Sequence, residues 1–168
     1  MRVFTTVLFV SFLLMSYMTF AGEKANFSGK WSLNEEKSEL GEGRRWMVST
    51  KLSITQEENN LSIERRLTRR SGEEVDIIEK YTLDGKECEN TLLESPKKST
   101  VTWSEDGQSL TISSTIVFER NGNKIEINTV EILKLIEDAN SLSIDYTSQS
   151  PRGERKRIYI YDKEKVTE

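Results

Sequence analysis

Four stretches of the chain share one pattern: ITQEENNLSI from Ile54, WSEDGQSLTI from Trp103, FERNGNKIEI from Phe118 and LIEDANSLSI from Leu135. Each has an apolar residue, a polar middle rich in turn formers, and a return to alternating apolar residues. Alternation on both sides of a short polar break is the signature of a β-hairpin. Asn121-Gly122 suits positive φ at such a turn, and Asp84-Gly85 marks a fifth. A chain punctuated this way folds as a meander, in which sequence neighbours pair in space.

Reading outward from the turns predicts roughly ten strands, at residues 27–33, 49–56, 61–68, 75–83, 86–93, 99–104, 109–118, 124–135, 141–147 and 155–161. Their Thr, Ile, Val and Tyr content suits a pleated surface, and Pro96 and Pro151 are expected in connections. Val130, Ile132, Leu133, Ile136 and Ala139 also fit a helical stripe, but the match of this stretch to its sister hairpins favours strand. A ten-strand antiparallel meander must hide its two edges, and closure into a barrel does so. The fold class expected is therefore all-β, a single up-and-down antiparallel barrel of about eight to ten strands. A two-sheet sandwich is the rival, disfavoured by the absence of long crossovers.

Residues 1–21 carry one basic residue, Arg2, an apolar run from Val3 to Leu14, and Ala21 preceded by Thr19 at the third-last place. This reads as a cleaved signal peptide, with the barrel domain at 22–168 and a secreted or periplasmic destination. Thr5, Thr6, Ser11 and Ser16 interrupt the run, which argues against stable membrane insertion.

The strand that follows begins Asn26-Phe27-Ser28-Gly29-Lys30-Trp31. This Gly-x-Trp at the first strand of an exported up-and-down chain resembles the lipocalin, or more broadly calycin, start. The resemblance implies that the Trp31 indole closes the narrow end of the barrel, with Gly29 allowing close backbone approach. It also implies a basic side chain from the last strand across the indole. Arg155, Lys156 and Arg157 are available for this, and Arg157 is favoured.

Charge and composition remove several function classes. Without Arg2, 23 Lys+Arg face 28 Asp+Glu, a net charge of −5, which argues against nucleic acid or an anionic membrane as partner. Histidine is absent, so Ser-His-Asp and Cys-His nucleophiles and His-ligated zinc are excluded. The acidic turns lack the ligand spacing of a calcium loop, so no metal site is expected. The single cysteine, Cys88, has no partner within the chain and reads as a small hydrophobe. The Asn26 and Asn60 sequons matter only in a eukaryotic host. No catalytic motif stands out, so neither enzyme activity nor a cofactor is expected.

Candidate ligand contacts come from polar residues placed among apolar ones. Strand 61–68 alternates Leu61, Ile63, Arg65 and Leu67, which places a guanidinium on an apolar face, and Glu131 falls in line with Ile125, Ile127 and Leu133. Arg65 would hold a carboxylate and Glu131 would balance it in the empty site. Alternatively Arg65 faces water beyond a β-bulge, or bridges to Glu131 structurally. Ser114, Trp103 and Tyr146 are further lining candidates. Trp46-Met47, beside Arg44 and Arg45, could cap the mouth or simply begin the second strand. An apolar tail would pack on Ile63, Ile112, Ile116, Ile127 and Tyr146. The leading expectation is thus an exported barrel binding a small hydrophobic or amphipathic molecule. The alternative is a barrel filled by its own side chains that acts through its outer surface as an envelope or extracellular interaction module with a protein partner.

Overall fold

The computed structural model describes residues 23–41, 48–69, 71–120 and 122–165. The expected signal peptide 1–21 and the Trp46-Met47 pair lie outside the described residues. Ten strands follow one another: β1 (Gly29–Leu33), β2 (Ser49–Glu57), β3 (Asn60–Thr68), β4 (Glu74–Thr82), β5 (Cys88–Leu92), β6 (Ser95–Trp103), β7 (Ser109–Arg120), β8 (Asn123–Ile136), β9 (Ser141–Ser150) and β10 (Gly153–Lys163). They form one antiparallel sheet in the order β4-β3-β2-β1-β10-β9-β8-β7-β6-β5. Every neighbour but one is a sequence neighbour, and the β1–β10 pair joins the two ends of the chain.

The sheet curls until β4 and β5 face each other, but no backbone ladder joins them. Side chains span this seam. The Asn90 amide accepts from Lys80 N at 2.8 Å and donates to Lys80 O at 3.0 Å, standing in for a peptide group. Below it, Thr82 N donates to Cys88 Sγ at 3.2 Å. A barrel open at one seam thus protects both edges without ladder closure.

One local expectation changes. Pro96 lies inside β6, opposite Thr91. The two-residue turn Leu93-Glu94 makes Leu92 and Ser95 the hydrogen-bonded closing pair, so Thr91 and Pro96 form a non-hydrogen-bonded pair. The Pro96 nitrogen then faces β7, whose pairing with β6 starts only at Lys97, so the missing N–H is not needed. The helical option at 130–139 is not taken. β8 runs to Ile136, and Glu137, Asp138 and Ala139 turn with φ of 52°, 52° and 63°.

Alternation sorts the interior into layers. The segment before β1 crosses one end, where Ala25 N donates to Gly107 O at 2.9 Å and the Gln56 amide holds Phe27 N and Ala25 O. Phe27, Trp31, Val101, Leu110, Leu133 and Leu142 fill this closed half and are all at 0% exposure. A smaller cluster of Leu67, Ile77, Leu92 and Ile116 lies toward the other end. Charged side chains occupy the layer between them.

Candidate functional site

Arg65 on β3 and Glu79 on β4 both point inward, and each is among the buried residues. The bulge that could have reversed Arg65 is in β2, at Ser49/Lys51, and Arg65 stays in regular register opposite Leu52. Its Nε donates to Glu79 Oε2 at 2.7 Å and its Nη2 to Glu131 Oε2 at 2.8 Å. Lys97 on β6 donates to Glu79 Oε1 and, at 3.3 Å, to Tyr81 Oη. Four strands therefore build an unbranched ionic circuit, Glu131–Arg65–Glu79–Lys97, open at both ends, of two cations and two carboxylates.

The circuit holds its own charges. Burial works against the Arg65 cation, but Glu131 and then Glu79 outweigh it and hold its pKa well above the ordinary value. Burial would raise the Glu79 carboxyl, yet Arg65 and Lys97 more than reverse this and hold it below the ordinary carboxylate range. Burial, with the Glu79 charge beside it, pushes the Tyr81 phenol well up. A buried network of this kind tolerates loss of a partner poorly, because an unpaired charge remains in low dielectric.

Above the circuit is a cavity of about 140 Å³. Leu67, Leu92, Ile116, Phe118 and Ile127 supply its apolar wall, and the circuit supplies its floor. The opposite wall carries Tyr146, Arg157 and Tyr159. Burial raises both phenols above their ordinary value, and their rings meet at 5.9 Å. Arg157 Nη1 donates to Tyr159 Oη at 3.4 Å and has no carboxylate partner among the described residues. Lining the cavity are thus Arg65, Lys97 and Arg157 against Glu79 and Glu131, one positive charge in excess. A larger hollow of about 250 Å³ on the outer face suits a ligand less well. Its Arg66 is paired with Asp76, its Lys51 with Glu164, and Leu52 is its one apolar lining residue.

The structure brings Arg65, Glu131 and Tyr146 together in the cavity, with Ile116 and Ile127. Ser114 is buried beside it, and its Oγ lies 2.8 Å from Ser99 Oγ. Ile63 and Ile112 belong to the closed half. Trp103 is placed there too, 6.1 Å from Phe27 and 5.1 Å below the Lys24 ammonium, with no hydrogen-bond partner for its Nε1 among the described residues. Trp31 closes this end at 0% exposure, its Nε1 donating to Phe27 O at 3.1 Å. Gly29 has φ of 150°, and a Cβ there would stand 3.2 Å from Lys163 Cε. Arg157 is not the cation over the indole. Lys163 holds that place, 5.3 Å from the ring, because β10 continues to pair with Trp31 through residue 163. That frees Arg157, opposite Tyr146, for the cavity wall.

Sequence reasoning missed Glu79, Lys97 and Tyr159. The signal was present for two of them. Glu79 alternates with Ile77 and Tyr81, and Tyr159 with Tyr161. Lys97 was hidden because β6 was expected to begin beyond it.

No protein-family model and no curated protein matches the chain. Among solved structures it is similar to the crystal structure of the zebrafish ileal bile acid-binding protein complexed with cholic acid. The two are 17% identical with a TM-score of 0.53, over 82% of this chain and 98% of that one. At that identity the likeness is one of fold: the chain has a calycin-like fold, a ten-stranded, nearly closed antiparallel barrel.

Proposed function

We propose that the chain is an exported, non-catalytic binding protein that takes one small anionic amphipath into the open half of its barrel. The observation that carries this is the uncompensated Arg157 guanidinium on the wall of a cavity whose facing side is apolar. A bound monoanion neutralises the excess positive charge, and its carboxylate gains a charge-assisted hydrogen bond. Its tail leaves water against Leu67, Leu92, Ile116 and Phe118, at roughly 25 cal/mol per Å² of apolar surface buried. Arg157 suits the head group better than Arg65, which is already committed to two carboxylates. The similar solved structure, of a protein named for binding bile acid and holding cholic acid, supports the amphipathic class. Export rests on the apolar leader and its small residues before Gly22.

Native mass spectrometry of protein recovered from its own compartment, followed by thermal shift with medium-chain carboxylates, tests the reading. A co-purified anion or a concentration-dependent rise in Tm supports it. One observation favours the filled-barrel alternative: the ionic circuit occupies the barrel's middle and leaves about 140 Å³, less than the roughly 300 Å³ at which small-molecule sites usually begin. Under that reading no amphipath raises Tm, and a protein partner is captured through the outer surface.

A further inference from the structure

Glu79 and Glu131 differ in how fully they are used. Both oxygens of Glu79 accept hydrogen bonds, one from Arg65 and one from Lys97. Glu131 meets Arg65 through Oε2 alone, and its Oε1 has no hydrogen-bond donor among the described residues. The residue is only 7% exposed and lines the cavity. That oxygen is open to solvent through the cavity, so a ligand that fills the cavity must replace the hydrogen bond to water with a donor of its own, because stripping a carboxylate of water without replacement costs more than an ordinary hydrogen bond contributes.

The sheet register shows what stands beside it. Glu131 is opposite Tyr146, and Tyr146 is opposite Arg157. Carboxylate, phenol and guanidinium thus occupy one row across β8, β9 and β10, with the outer two Cα atoms about two strand spacings, roughly 10 Å, apart. Side chains from both ends of the row line the same cavity. A ligand whose anion meets Arg157 therefore brings its first few carbons toward the unfilled acceptor on Glu131.

We propose that the ligand carries a hydrogen-bond donor, a hydroxyl or an amide N–H, within a few bonds of its anionic group, and that Glu131 is the acceptor that selects it. This rests on the anionic-amphipath reading above. A site built around a charged acceptor rejects an analogue without the donor, since the acceptor is left dry and unpaired. An ether oxygen at the same place is worse still, because it sets one acceptor against another.

The test is calorimetric titration of the full exported chain with octanoate, its β-hydroxy and δ-hydroxy derivatives, and the matching methyl ethers. A hydroxyl at one of the two positions is expected to tighten binding roughly ten- to a hundredfold, as a hydrogen bond to a charged group does, with the matching ether no tighter than octanoate. In Glu131→Gln the gain falls to about twofold or less, since a neutral amide is the weaker acceptor. Octanoate binding with no gain from either hydroxyl overturns the selection by Glu131 and leaves the amphipath reading standing. No binding of any of these compounds overturns both. If Glu131→Gln fails to fold, hydroxy acid against ether in the parent still decides.

Discussion

Lys163 lies across Trp31, its ammonium 5.3 Å from the indole, in register with the ring's own residue. The contact joins the last strand to the first at the closed end, where Trp31 is fully buried and its N–H is satisfied by Phe27 O. Truncating Trp31 to alanine is expected to destabilise the fold by about 3 to 5 kcal/mol, as for other aromatic side chains removed from a core. Lys163→Ala is expected to cost less, because the lysine is exposed. Urea unfolding of the two variants checks the order, and Trp31→Ala should leave the affinity of the folded protein for amphipaths unchanged.

Glu79 is the hub of the ionic circuit, so its removal leaves two buried cations short of a partner. Glu79→Gln is expected to cost about 3 to 5 kcal/mol at neutral pH. The sign of the pH dependence follows from the depressed carboxyl. Its stabilisation is complete above the unfolded carboxylate pKa, about 4.3, and is lost as pH falls through the lower folded value. The stability gap between parent and Glu79→Gln should therefore be constant from pH 7 to 5 and narrow below about pH 4. Denaturant titrations across that range read it directly.

Asn90 closes the seam between β4 and β5 with two hydrogen bonds to one residue, Lys80. Asn90→Ala removes both, at a cost of about 1 to 2 kcal/mol. Hydrogen exchange should quicken first at Lys80 and Thr82, whose amides donate to Asn90 and Cys88, before the β7–β8 and β8–β9 ladders respond.

The fold was largely legible because hairpin chemistry is local. Turn residues such as Asp84-Gly85 and Asn121-Gly122, with period-two alternation, set the strands within a few residues. What stayed hidden was relational. Which basic residue of β10 crosses Trp31 depends on the β1–β10 register, set by closure of the whole barrel. Whether Arg65 is free to hold a ligand depends on Glu79, which takes its Nε from the neighbouring strand, as well as on Glu131. Alternation showed that Arg65 and Glu131 face inward, while the consumption of their hydrogen-bonding capacity is a property of the assembled circuit. Arg157 could be weighed only once Lys163 had taken the indole.

The central claim is that Arg157 gives the cavity its preference for an anion. Titration of octanoate and of uncharged octanol into the parent and into Arg157→Gln, at pH 7.5 and matched ionic strength, tests it most directly. The parent should bind octanoate at least about tenfold more tightly than octanol, a margin of about 1.4 kcal/mol within reach of one charge-assisted hydrogen bond. Arg157→Gln should keep its fold and lose that margin. Equal affinity for the two ligands in the parent, or an unchanged preference in Arg157→Gln, would contradict it.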